Sequence, residues 1–379
     1  MGSERLRVEG LSKQYGEETA VDDLSLTISE GEFVSLLGPS GCGKSTTLRC
    51  IAGIERPTAG RIYIDDELVS APDEGVHVKP ENRDVGMVFQ SYAIWPHMTV
   101  KENVRFPLKV RKIGTKEERE EKVRRVLEMV GLEQYTNSAA TELSGGQQQR
   151  VAISRALVIE PDLLLFDEPL SNLDAKLRRE MREEIKELSE QLEIPTLYVT
   201  HAQDEAMFLS DKIALMRDGA IVEKNSPDAL HTTPNNLFAM DFMGHTNNVR
   251  GTVASREGAT MTVDTSIGEF VVDAEDQVTD SAVGDDVVLS FRPKFCEHLP
   301  EGATANGALA AQLEGELERE VSTRDFTEYH MSVDGNTVVF RRLEALPSER
   351  SDRVRIAVPR RHVRVFAYGD EQTYPELIQ

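Results

Sequence analysis

The rhythm of apolar and polar positions changes twice along this chain. Residues 4–37 read as strands and turns: ERLRVEG opens one strand, DLSLTI alternates, and EFVSLL at 32–37 is an apolar run closed by glycine. A helix signal runs from Ser45 to Ala52, and GRIYID at 60–65 and DVGMVFQ at 84–90 read as further strands. From about 91 to 160 the pattern is helical. TVKE at 99–102 and TKEE at 115–118 each set a threonine three residues before a glutamate, which predicts capping boxes. After the second, Val123, Val126, Leu127 and Val130 share one face, and Gly131 ends the helix. VAISRALVIE continues helically until Pro161. DLLLFDEP at 162–169 is then a short apolar strand ending in two acids. Leu177, Met181, Ile185, Leu188 and Leu192 mark an amphipathic helix, and PTLYVTH at 195–201 and KIALMRDGAIVE at 212–223 return to strand. Strands alternating with helices predict a parallel sheet covered by helices.

The second change comes near residue 240. PNNLFAMDFMG reads as a connecting segment. After it come short alternating runs such as NVRGTVAS, GATMTVDT, GEFVVDA, DVVLSFRP, QLEGELERE, TEYHMSV, NTVVFRRL and RVRIAVP, broken by turn signals that include Asp334-Gly335. The expectation is an α/β domain over 1–240, with a helical subdomain at about 91–160. A small all-β barrel follows over 241–379.

Composition adds limits. At 379 residues, the chain is long enough for two or three domains. It lacks an apolar run near the roughly 18 residues that a membrane span needs. The start, MGSERLRVEG, has no apolar region of the kind a secretory leader carries. MGSERL fits the loose N-myristoylation pattern, but a charged strand follows at once. The net charge of −23 sets the chain against nucleic acid as a partner, and suits an acidic cytosolic protein, with a salty cytoplasm as the sharper reading. Cys42, Cys50 and Cys296 show no metal-ligand spacing, which fits a reducing compartment.

The chemistry concentrates in three stretches. GPSGCGKST at 38–46 lies between an apolar strand and a helix. Its glycines, Gly38, Gly41 and Gly43, let main-chain N–H groups turn inward around phosphate oxygens, with Ser40, Cys42 and Thr46 in the same loop. Lys44 supplies a full charge to the β- and γ-phosphates, and the Ser45 hydroxyl suits Mg²⁺. Asp167 closes an apolar strand, where a carboxylate faces the ligand crevice of an open α/β sheet and can hold that Mg²⁺. Glu168 follows as a general base for an attacking water. In LSGGQQQR at 143–150, Ser144 and the N–H groups of Gly145 and Gly146 begin another helix and form a second anion cradle. One nucleotide does not need two cradles from one chain. A symmetric dimer, in which each chain covers its partner's nucleotide, is the natural solution; a loop simply capped by Ser144 is the plain one.

These residues carry a resemblance. The chain resembles the ATP-binding subunit of an ABC (ATP-binding cassette) importer of the maltose, ferric-iron and polyamine type. GPSGCGKST and LLLFDE match that family's Walker A and Walker B motifs, and LSGGQ, Ser144 to Gln147 included, matches its signature. Gln90 in VFQSYAIWPHMTV matches the Q-loop glutamine, which in the family senses the Mg-nucleotide and links it to the membrane partner. SNLDAKLR supplies Asp174 of the D-loop, VTHAQDEA supplies His201 at the switch position, and Tyr15 in LSKQYG matches the aromatic that stacks on adenine. The region after 240 is similar to the OB-like (TOBE-type) regulatory extension of these ATPases.

The resemblance implies an α/β P-loop NTPase fold and an active ATPase using ATP and Mg²⁺, with Glu168, His201 and Gln90 as catalytic residues. It implies a homodimer, or a pair with a closely related cassette. That dimer would sit at the cytoplasmic face of the cell membrane on two transmembrane permease subunits, served indirectly by an extracytoplasmic solute-binding protein. The solute stays open among sugar, ferric iron, polyamine or another. Trp95 and Met98 either pack the helical subdomain or belong to the permease-docking groove. A soluble ABC ATPase acting on DNA or ribosomes is the alternative.

Overall fold

The long N-terminal strands do not join the parallel sheet that the sequence predicts. The computed structural model describes residues 3–274, 277, 280–300, 308–346, 352–369 and 377–378; Gly2 of the acylation pattern lies outside them. The first unit, Met1–Ala229, begins with β1 (Glu4–Tyr15), β2 (Glu18–Ser29), β3 (Phe33–Leu37) and α1 (Lys44–Ile51). Next come β4 (Ala59–Ile64), β5 (Glu67–Ala71), β6 (Val76–His77) and β7 (Val85–Val88). The helical stretch holds α2 (Val100–Val110), α3 (Lys116–Met129) and α4 (Gly145–Leu157). The unit continues with β8 (Leu163–Asp167), α5 (Ala175–Leu192), β9 (Thr196–Thr200) and α6 (Gln203–Leu209). β10 (Lys212–Arg217) and β11 (Ala220–Asn225) complete it.

Two sheets result. One is ordered β2-β1-β4-β5-β6 and is antiparallel throughout. The other is ordered β11-β10-β3-β9-β8-β7, parallel except for β11. β3, β8 and β9 are buried at every position, as strands covered on both faces must be. Their alternate residues enter different cores. Val34, Leu36, Leu163, Leu165, Leu197 and Val199 meet α1 and the antiparallel sheet, whereas Phe33, Leu164, Phe166 and Tyr198 meet the helices. The expected helix-covered sheet is therefore helix-covered on one face. On the other, α1 shares the work with a second sheet whose strands pair across long sequence separations.

Both predicted capping boxes form: Thr99 with Glu102 at α2, and Thr115 with Glu118 at α3. A third forms at α4, between Ser144 and Gln147. Gly131 takes φ +66° just after α3, the left-handed value that glycine adopts without steric cost.

The second unit, Leu230–Gln379, begins within the short helix α7 (Pro227–Thr232) and contains α8 (Leu237–Phe242). The division falls ahead of the expected 240 because Leu237 and Met240 of α8 bury against Val288 and Phe366 of the β-rich part. Its strands are β12 (Asn247–Glu257), β13 (Thr260–Thr265), β14 (Gly268–Asp273), β15 (Asp286–Phe291) and β16 (Glu297–Leu299). Then come β17 (Leu309–Ser322), β18 (Thr327–Val333), β19 (Asn336–Arg342), β20 (Arg353–Pro359) and β21 (Val363–Ala367). They form two five-stranded antiparallel sheets, β14-β13-β12-β15-β21 and β16-β20-β17-β18-β19, around one apolar core. The edge strands β16 and β19 come within reach of each other, with Arg342 Nη1 3.4 Å from His298 Nδ1, so that sheet curls toward a barrel. Asp334 and Gly335 both take positive φ in the β18–β19 turn, as the Asp-Gly pair predicts. The three cysteines are free and buried.

Candidate active site

Strand order assembles the site. β3, β9, β8 and β7 are consecutive neighbours, and the parallel ones share a direction. Their carboxyl ends therefore lie side by side. They deliver, in that spatial order, the 38–46 loop, His201, the Asp167-Glu168 pair and Gln90.

The loop after β3 is held by close main-chain packing. A Cβ on Gly38 would lie 2.3 Å from the Met216 carbonyl oxygen, and one on Gly43, at φ +99°, would lie 2.2 Å from that of Ala20. Neither position admits a side chain without moving backbone. Gly41, at φ +85°, faces open space, and Ser40 is exposed. Lys44 is buried, and its Nζ donates to the Gly38 and Pro39 carbonyls, each at 2.8 Å, with Cys42 Sγ at 3.6 Å. The ammonium is thus folded onto its own loop, in the concavity that the loop encloses. Burial raises the Cys42 thiol pKa, partly offset by Lys44. Thr46 is half-buried in the first turn of α1.

Ser45 Oγ donates to Asp167 Oδ1 at 2.7 Å, which joins the loop to the end of β8. Arg49, four residues after Ser45 and so on the same face of α1, sets Nη2 3.5 Å from Asp167 Oδ2. That spacing was the available sequence signal for Arg49. Glu168 has φ +45°, and its N–H donates to the Val199 carbonyl at 3.0 Å, which pins the turn out of β8. Its Oε2 lies 3.2 Å from His201 Nδ1.

Gln90 is exposed and tied to the same turn. Its Nε2 donates to Ser171 Oγ (3.2 Å), Ser171 Oγ donates to the Glu168 carbonyl (2.9 Å), and Asn172 Nδ2 donates to the Gln90 carbonyl (2.8 Å). Ser171 and Asn172 open the SNLDAKLR motif, but only the fold brings them to Gln90. Glu205 is a further residue that sequence reasoning missed. Buried in α6, it accepts at Oε2 from both Tyr198 Oη (2.9 Å) and Thr200 Oγ1 (2.8 Å), and Thr200 Oγ1 in turn accepts from the Ala202 N–H (3.0 Å). His201 therefore sits between two residues anchored through one buried carboxylate.

Among the described residues, the other expected ones make no hydrogen bond to this centre. Ser144 caps α4, accepting from the Gln147 N–H, while Gln147 Oε1 accepts from the Ser144 N–H at 2.9 Å. A Cβ on Gly145 would stand 3.3 Å from Leu173, and one on Gly146 2.8 Å from Leu177, so these glycines also permit close packing on the segment around α5. Among the described residues, no recorded hydrogen bond joins Ser144–Gln147 to the 38–46 loop. Asp174 caps α5, accepting from the Lys176 and Leu177 N–H groups at 3.0 Å each. Tyr15 ends β1 and is 45% exposed, with Lys13 Nζ 4.6 Å from its ring centre. Trp95 packs on Phe106 with ring centres 4.4 Å apart. Both line a groove of about 340 Å³ with Met87, Val110 and Arg155, so the two readings of Trp95 are not exclusive.

Known proteins resemble this chain in sequence and in fold. The ABC transporter family model matches residues 21–171. The xylose/arabinose import ATP-binding protein XacJ of Haloferax volcanii is 41% identical over 375 residues, covering 96% of this chain and 93% of that relative. The chain belongs to the ABC transporter family. The trehalose/maltose import ATP-binding protein MalK of Thermococcus litoralis is 53% identical over 239 residues, 63% of this chain and 64% of that relative. A dimeric ATP-binding cassette solved in a post-hydrolysis state, bound to ADP and Pi, superposes with a TM-score of 0.51 at 34% identity. That match covers 59% of this chain and 98% of the solved one. No helix among the described residues of this ABC protein is long and apolar enough to cross a membrane.

Proposed function

We propose that this chain is the ATP-hydrolysing subunit of an import transporter, working as a dimer on the cytoplasmic face of a membrane. The observation that carries the reading is the 2.7 Å contact between Ser45 Oγ and Asp167 Oδ1, with Glu168 and His201 3.2 Å apart beside it. A hydroxyl and a carboxylate side by side are hard oxygen donors suited to Mg²⁺, and Ser45 and Asp167, with Gln90, would hold it. Bound there, Mg²⁺ neutralises phosphate charge and polarises the bond to be broken.

The chain's own groups supply the rest. Main-chain N–H groups of residues 38–46 and the start of α1 bind phosphate oxygens, and Lys44 exchanges its loop carbonyls for them. Glu168 takes the proton of the attacking water, and His201 orients that carboxylate. The exposed Tyr15 ring offers a stacking face to adenine. Ser144 to Gln147 and Asp174 of a second copy complete the site, which accounts for their separation from the loop in a single chain. Two permease subunits dock at the groove lined by Trp95 and Phe106 and carry solute selectivity. An extracytoplasmic solute-binding protein delivers to them. The alternative of action on DNA or ribosomes loses ground, because the named relatives are import proteins.

Glu168→Gln tests the reading. With permease present, ATP hydrolysis should fall by about 100-fold or more, while ATP and Mg²⁺ trap a closed homodimer detectable by light scattering. Equal hydrolysis by wild type and variant would overturn the catalytic assignment. Ser144→Arg should block closure and spare ATP binding by the monomer; loss of that binding would overturn the shared site.

A further inference from the structure

Three short segments of the second unit are rich in bases, although the unit as a whole is acidic like the rest of the chain. Segments 292–298, 340–342 and 360–364 hold seven Lys or Arg and one Glu, in a chain whose acids outnumber its bases 66 to 43. The fold brings these segments together around the turn Pro293–Phe295. The rings of Phe295 and His362 stack 3.8 Å apart at 7°, which fixes the 360–362 turn against it. β15 and β21 pair Phe291 with Val363 just behind.

Arg341 and Arg360 pair with carboxylates, those of Glu328 and Asp273, but three of the other cations have unusual partners. Lys294 Nζ donates to His231 Nε2 at 2.6 Å, Arg361 Nε to His362 Nε2 at 3.1 Å, and Arg342 Nη1 approaches His298 Nδ1 at 3.4 Å. Three of the chain's eight histidines thus serve as neutral acceptors for cations. Beneath them, Arg292 is buried and donates to the His231 carbonyl at 3.2 Å. Among the described residues, Lys294, Arg342 and Arg361 have no carboxylate in salt-bridge range. Partial burial, then the charges of Arg292 and Arg341, lower the Lys294 pKa; burial, then Arg361 and Lys294, lower that of His362, with Glu297 opposing.

A neutral imidazole is a weak partner for a cation, with roughly half the strength of an ionised acceptor. A chloride ion offers a single acceptor atom, whereas an oxyanion with several acceptor oxygens can engage more than one donor, and Lys294 and Arg361 both lie close enough to His362 to act on it. We propose that the cluster around Lys294, Arg361 and their histidines is a binding site for a phosphate dianion, either free or at the head of a small phosphate ester. The anion replaces the imidazoles as acceptor and cross-links the turns at 293–295 and 360–362. Because those turns join strands of both sheets, occupancy stiffens the second unit.

The test is calorimetric titration of the full chain, with Mg-ADP present so that the 38–46 loop does not take up the added phosphate. Inorganic phosphate and glucose 6-phosphate are the two probes. Saturable binding is expected for at least one, weakened more than about tenfold in Lys294→Gln/Arg361→Gln. The control Lys109→Gln should bind as wild type does. Tighter glucose 6-phosphate binding identifies the ester as the source, and equal binding identifies the free anion. Absence of saturable binding in wild type overturns the proposal. So does equal affinity in the double variant, once circular dichroism shows that variant folded.

Discussion

Glu205 offers the sharpest check on how the site is held. Tyr198 Oη and Thr200 Oγ1 both donate to the same carboxylate oxygen, Oε2, and both side chains are buried. Glu205→Ala removes the acceptor from two hydroxyls that water cannot reach. Each orphaned buried donor costs about 1–3 kcal/mol, so about 3–5 kcal/mol of stability should be lost in total. Glu205→Gln keeps one oxygen, and one oxygen is all that the two donors use. The variant loses charge assistance and turns its NH₂ toward Arg178, whose Nε lies 3.9 Å from Oε1. Against this, it no longer buries a charge. The expected net cost is about 1–2 kcal/mol. Urea unfolding followed by fluorescence measures both values, because the chain's single tryptophan, Trp95, packs against Phe106 within the first unit. Hydrolysis should follow the same order, since the Thr200 hydroxyl also holds the Ala202 N–H beside His201. If the two variants fell within 1 kcal/mol of each other, the shared-oxygen account would be wrong.

Two further predictions follow from local geometry. Gly146→Ala should destabilise the first unit by about 1–2 kcal/mol, because its Cβ meets Leu177 Cδ1 at 2.8 Å. In a Leu177→Ala background the same change should stabilise by up to about 1 kcal/mol through helix propensity, and additive unfolding energies would refute the packing role. At α3, the Thr115 main-chain N–H, then its hydroxyl, hold the Glu118 carboxyl below its ordinary 4.5. Its contribution is therefore complete above that value and is lost as pH falls through the lower folded one. Glu118→Gln should flatten this acid-side fraying of α3 in amide exchange. An unchanged pH profile would exclude the carboxylate as its cause.

Local signals were legible wherever one short segment carries its own physics. The loop at 38–46, the strand-end acids, the capping boxes at Thr99 and Thr115 and the Asp334-Gly335 turn each depend on neighbours within a few residues. The glycines at 145 and 146 were legible only in part. Their position at a helix start is local, but their contacts with Leu173 and Leu177 come from a separate segment later in the chain. Arg83 shows the limit most plainly. Nothing around it marks it as buried, yet it is 1% exposed and donates to the carbonyls of Val69, Val78, Cys50 and Ile51, the last two at the end of α1. Burial lowers its pKa to about 10, which leaves it charged where those carbonyls need a donor.

The sequence by itself therefore determined which chemistry this protein carries: a phosphate loop, a hydroxyl, two acids and a second anion cradle, each encoded by residue type at fixed short spacing. The tertiary structure decided how these parts meet. The order β3-β9-β8-β7 places four loops in a row, and Ser171, Asn172 and Glu205 lock them together. It also leaves the Ser144 cradle out of hydrogen-bond reach of its own chain's loop, because strand order and helix placement come from long-range burial of apolar faces that no local spacing records.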